Sequence, residues 1–233
     1  IEGELLGVRR AGIRAQGREQ AWRQLRADAG ASYPEELTLD LATLGPLVAL
    51  PHAPDHVVPI GAVAGTLIQQ VAIGSCTNSS YRDLLIAAKI LEGRTIDPSV
   101  SLVVSPGSRQ AFLMAEREGV IETFVRAGAR ILESACGPCI GMGQAPASGS
   151  ASLRSFNRNF RGRSGTPDAE VYLASPEVCA ASALAGRISD PRDLPRIPHV
   201  RAIPAAYRID DSQIIAPAPT GAGYSARVPP GLV

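Results

Sequence analysis

Two rhythms of apolar residues run along the chain from about Ile68 onward. Short apolar runs predict buried strands over residues 71–74, 100–104, 129–132, 153–156 and 171–174. Between them lie longer stretches in which apolar residues recur every three or four positions, the spacing of helices with one buried face. Ser80, followed three residues on by Asp83, has the form of a capping box. The helix it opens carries Leu84, Leu85, Ala88 and Leu91 and is stopped by Gly93. After the Ser105-Pro106-Gly107 turn, a helical pattern runs to about Glu118 and a second covers 120–127. Ser175-Pro176-Glu177 opens a last helix that Gly186 closes. Strands alternating with helices in this way imply an α/β fold with a mostly parallel sheet flanked by helices.

Residues 1–57 keep to neither rhythm. Trp22 and Leu25, at i and i+3, predict a helix over 16–29, but Pro34, Pro46, Pro51 and Pro54 interrupt any regular element between there and residue 57. The chain therefore divides into an irregular N-terminal segment (1–57), an α/β domain (58–190) and a C-terminal extension (191–233) whose end is rich in proline and glycine. The chain does not begin with methionine, which suggests a processed product, a fragment or a piece cut from a longer chain.

Composition narrows the function classes. A chain of 233 residues, 45% hydrophobic and 19% charged, buries a sizeable core, and a net charge of +1 disfavours both intrinsic disorder and a nucleic-acid partner. No apolar run reaches the roughly 18 residues of a spanning helix, and residues 1–4 carry no export signal, so a cytoplasmic protein with no membrane partner is expected. Lys89 is the only lysine among 23 basic residues, a bias read as genomic composition rather than a demand for guanidinium groups.

The chemistry-bearing residues cluster just past the predicted strands: Cys76 after the first, Cys136 and Cys139 after the third, Asn157 and Arg158 after the fourth. In open α/β sheets this carboxyl edge is where ligands bind. Three readings of the cysteines stay open. Cys136-Gly137-Pro138-Cys139 could exchange disulfides, but a redox dithiol wants its first thiol at a helix N-terminus. Structural zinc wants two close pairs, and only one exists; Cys179 sits among alanines in a predicted helix, as a small apolar filler would. A polynuclear cluster on three thiolates would leave one iron open to act as a Lewis acid. The stretch 154–163 has four arginines and no acid, which favours a small polycarboxylate ligand, with a solvated basic loop as the simpler reading of Arg154 and Arg161.

Three motifs, Gly74-Ser75-Cys76-Thr77-Asn78-Ser79, Ala135-Cys136-Gly137-Pro138-Cys139-Ile140-Gly141 and Asn157-Arg158-Asn159-Phe160-x-Gly162-Arg163, resemble the aconitase superfamily in order and separation. The similarity runs from about Arg14 to Pro217. It implies the iron–sulfur domain of that superfamily, an α/β/α three-layer fold, in which Cys76, Cys136 and Cys139 hold a [4Fe-4S] cluster. Asn157, Arg158 and Arg163 would bind substrate, and Asn78 would support the cluster's surroundings. The implied activity is a hydro-lyase that moves a hydroxyl between adjacent carbons of a tri- or dicarboxylate. Cys76–Tyr81 and Arg163–Thr166 lean toward aconitate hydratase, with citrate and isocitrate as substrates in the tricarboxylic acid cycle. Homoaconitase and the large subunit of 3-isopropylmalate dehydratase are the alternatives, and a non-catalytic RNA-binding or cluster-sensing module is the reading from another class. The family's catalytic serine comes from a swivelling domain that would lie beyond residue 233, so no catalytic residue is assigned here. Flanking domains are expected in cis or in trans.

Overall fold

The computed structural model describes residues 10–196 together with 198–200, 206, 207, 209, 210, 212 and 215. Seven strands form one sheet: β1 (Leu47–Ala49), β2 (Val57–Pro59), β3 (Gln70–Gly74), β4 (Ser101–Ser105), β5 (Arg130–Ile131), β6 (Ala151–Arg154) and β7 (Glu170–Leu173). Their spatial order is β2-β1-β7-β6-β3-β4-β5. From β7 to β5 all neighbours are parallel, Val71 lying between Leu102 and Leu153. β1 alone reverses direction, pairing antiparallel with both β2 and β7.

Four helices connect these strands: α1 (Tyr81–Leu91), α2 (Arg109–Arg117), α3 (Val120–Ala127) and α4 (Pro176–Ala185). α1 begins with the capping box its sequence predicts, Ser80 and Asp83 each satisfying the other's backbone N–H. α4 starts at Ser175 with proline in its first turn and ends at Gly186, whose φ of 69° only glycine adopts at no steric cost.

Alternate strand residues point to opposite faces. Val71, Ile73, Leu102, Val104 and Leu153 share one core with Leu84 of α1, Ala115 of α2, Phe124 of α3 and Ala180 of α4. Ala72 and Val103 point the other way and join Phe156, with Leu132, Cys139 and Leu173 packed against them. Helices α1–α4 thus cover one face, and among the described residues the other face is covered by the loop that carries Cys139 rather than by a further helical layer. No helix among the described residues is long and apolar enough to cross a membrane.

Three local expectations change. The helix predicted over 16–29 is absent: residues 10–15 are helical, Gly17 turns the chain at φ 69°, and only a short 3-10 turn at Glu19–Ala21 comes after it. Leu25 is 88% exposed, so nothing buries the apolar face that a short helix needs. The segment read as irregular supplies β1 and the first residue of β2, both strands of three residues, too short for an alternation to register. The fourth predicted strand begins two residues earlier, at Ala151, because small and polar Ala151 and Ser152 are buried by neighbouring strands rather than by their own hydrophobicity. Of the C-terminal extension, residues 216–233 lie outside the described residues.

Leu84 is fully buried. Leu84→Ala should cost about 2–5 kcal/mol, whereas Leu25→Ala should stay within about 0.5 kcal/mol; urea unfolding of both variants checks the contrast.

Candidate functional site

Because β3 to β6 run parallel, the loops leaving their carboxyl ends meet at one edge. The loop after β3 brings Cys76, the loop after β5 brings Cys136 and Cys139, and the loop after β6 brings Asn157, Arg158 and Arg163. All six line a single cleft of about 620 Å³, beside Arg130, Glu133 and Met142.

Each loop is held by identifiable bonds. Gly74 ends β3 at φ 141°, pressed so close to the Ser105 carbonyl that a Cβ would collide with it. Ser75 is next, in the left-handed region at φ 66°, a strained conformation for serine, and turns the chain so that Cys76 emerges exposed. The Ser155 hydroxyl accepts from Gly74 N at 2.8 Å, and the Ser155 carbonyl accepts from Asn78 Nδ2 at 2.5 Å. Across the cleft Asn157 Nδ2 donates to Thr77 Oγ1 at 3.0 Å, joining the first and third loops.

Cys136 precedes a single 3-10 turn, Gly137–Ile140, with Pro138 in it and Gly141 closing it at φ 85°. One such turn offers little of the helix dipole that activates a redox thiol. Gly141 lies against the Ser164 carbonyl, where a Cβ would not fit. The second and third loops are therefore in backbone contact.

Arg154 departs most from its sequence reading. It is fully buried at the end of β6, not a solvated loop residue. Its Nη1 donates to the Pro138 carbonyl at 3.0 Å, and Nη2 to the Gln144 carbonyl at 3.0 Å and to Gln70 Oε1 at 2.6 Å. Nε donates to Ser152 Oγ at 2.9 Å, and the group lies 5.4 Å over the Phe156 ring. Burial pushes its pKa down to about 10, with Cys139 acting in the opposite direction. A basic residue inside a strand pattern, with Gln70 just before the apolar run of a neighbouring strand, was the available signal for this clamp.

Three of the residues lining the cleft are arginines (Arg130, Arg158 and Arg163), against one carboxylate, Glu133. Arg158 is exposed and Arg163 half-buried. The Nε of Arg163 is buried without a partner among the described residues, a donor that an anionic ligand would satisfy. Cys76, Cys136 and Cys139 are free thiols, while Cys179 is buried in α4 within the helix-side core, where desolvation pushes its thiol pKa up. Among the described residues no three His, Cys, Asp or Glu side chains gather closely enough for a single metal ion. Three thiols lining one cleft are soft donors of the kind an iron–sulfur cluster takes.

The model of the family described as "Aconitase family (aconitate hydratase)" matches residues 8–186. The chain belongs to the aconitase family. Similar curated proteins include the 3-isopropylmalate dehydratase large subunit 2 of Archaeoglobus fulgidus, 46% identical over 178 residues, which are 76% of this chain and 43% of that protein. The large subunit 1 of Methanopyrus kandleri is 49% identical over 73% of this chain and 41% of its own length. That of Thermotoga maritima is 45% identical over 77% and 44%. The chain thus spans about two fifths of the length of the curated relatives it matches.

These names favour the isopropylmalate alternative over the lean toward aconitate hydratase and the tricarboxylic acid cycle. The stretches behind that lean sit on the cysteine and arginine loops.

Native protein treated with a thiol-alkylating reagent should be modified at exposed Cys76 and Cys136, and at Cys179 only after unfolding. Peptide mass spectrometry reads the pattern, and rapid native labelling of Cys179 would contradict the packing described.

Proposed function

We propose that this chain is the cluster-bearing part of a hydro-lyase that dehydrates and rehydrates a branched hydroxy-dicarboxylate of the isopropylmalate type. The observation that carries this reading is the convergence of Cys76, Cys136, Cys139, Asn157, Arg158 and Arg163 on one cleft in an aconitase-family chain. Cys76, Cys136 and Cys139 would hold a [4Fe-4S] cluster, which when bound supplies a Lewis-acidic iron to a substrate hydroxyl. Arg158 and the unpartnered Nε of Arg163 bind and orient the carboxylates. Asn157, steadied by Thr77, offers its amide oxygen beside them. A recess of about 570 Å³ lined by Arg109, Phe112, Ile131, Leu132, Glu133 and Ser134 shares three residues with the cleft. Its largely apolar wall suits an alkyl branch, which citrate lacks.

The groups that complete the reaction lie in the part of the relatives' length that this chain does not span. A further domain or a small-subunit partner would bring them to the open side of the cleft, as the description "large subunit" of the relatives fits.

Anaerobic reconstitution with iron and sulfide should give a brown protein. Cys76→Ser, Cys136→Ser and Cys139→Ser should each lose the chromophore, and Cys179→Ala should keep it; a Cys76→Ser protein with full iron content would sink the reading. In the reconstituted wild-type protein, isopropylmalate binding measured by calorimetry should weaken by about 1.5–3 kcal/mol in Arg163→Gln, the usual worth of a hydrogen bond to a charged group. Equal affinity in the variant would remove Arg163 from the carboxylate site.

A further inference from the structure

Arg154 is the one buried side chain among the described residues that carries a full charge. All its hydrogen-bond acceptors are neutral: Ser152 Oγ, the Pro138 and Gln144 carbonyls, and Gln70 Oε1. No carboxylate pairs with it among the described residues. A lone charge removed from water costs several kcal/mol or more unless it is compensated, so a fold that keeps one without a countercharge is poised to receive it. Arg154 Nη1 donates to the carbonyl of Pro138, the residue before Cys139, so the guanidinium lies against the cysteine turn. Cys139 packs on the same small cluster as Phe156, over whose ring the guanidinium lies.

We propose that Arg154 is a positioning residue and the buried countercharge of the cluster held by Cys76, Cys136 and Cys139, setting its reduction potential and its retention. This rests on the cluster reading above. A cubane ligated by three thiolates is an anion and becomes more negative when it takes up an electron. A fixed cation beside it in a water-poor environment stabilises the reduced form more than the oxidised one, which raises the potential. The same cation favours holding the cluster at all. The hydrogen bonds to Pro138 and Gln144 keep the turn of Cys136 and Cys139 at the right height over the sheet, so charge and clamp come from one side chain.

Gln70→Glu tests the charge while keeping the acceptor that Arg154 Nη2 uses, because the new carboxylate would stand where Gln70 Oε1 now accepts and would neutralise Arg154 internally, at the cost of the two long bonds from Gln70 Nε2 to the Gln144 and Ala145 carbonyls. Anaerobically reconstituted wild-type, Gln70→Glu, Arg154→Lys and Arg154→Gln proteins are compared by redox titration monitored by electron paramagnetic resonance, and by the rise in melting temperature on loading. The expected result is a lower potential and a smaller loading-dependent rise in Gln70→Glu and Arg154→Gln, with Arg154→Lys close to wild type. Should Arg154→Gln fail to fold, Gln70→Glu against Arg154→Lys still decides the matter. A wild-type protein that takes up no cluster would overturn both this inference and the reading beneath it. Loaded variants with wild-type potentials would overturn this inference alone, as would Arg154→Lys falling as far as Gln70→Glu.

Discussion

Two neighbours at the end of β6 hold the site together: Arg154 reaches down to the carbonyls of Pro138 and Gln144, and Ser155 reaches across to Gly74 N and Asn78. One strand end therefore fixes the heights of both cysteine loops, and the chain continues from it directly into Asn157 and Arg158. Loops on separate strands would otherwise drift independently, and these bonds tie the thiol-bearing loops to one another. Four hydrogen bonds occupy N–H donors of the buried guanidinium, but none involves a charged acceptor, so its charge has no counterion among the described residues.

The sheet makes that arrangement available. Parallel β3, β4, β5 and β6 deliver their carboxyl ends to the same edge, and α1–α4 return the chain along one face. The opposite face is left to the cysteine loop, which packs through Cys139 on Ala72, Val103 and Phe156. The site is thus an extension of the second, smaller core, and Phe156, which joins that core, lies between the clamp at Arg154 and the cleft residues at Asn157 and Arg158.

Electrostatics give the cleft its direction. Three arginines against one glutamate favour an anionic ligand, and the unpartnered Nε of Arg163 marks one place for its oxygen. The cysteines supply soft donors on the same wall. An apolar recess beside Ile131 and Leu132 adjoins this cleft, so an anionic ligand held by the arginines would also meet a nonpolar wall.

The strand rhythm, the capping box at Ser80 and Asp83, the Ser175 start of α4, and the three motifs with their cysteines and arginines were all legible in the residues alone. Each is a local property: a period, a cap or a spacing is written in consecutive positions. The hairpin of β1 and β2, the burial of Arg154, the binding of Ser155 to the Cys76 loop and the side of the sheet left open were decided by tertiary contacts. β1 exists because β7 pairs with it, and Arg154 is buried because Gln70, 84 positions earlier in the chain, and two loop carbonyls surround it. A charge enters a core only where distant chain segments bring acceptors to it, and nothing in the neighbourhood of one residue along the sequence records which segments those will be.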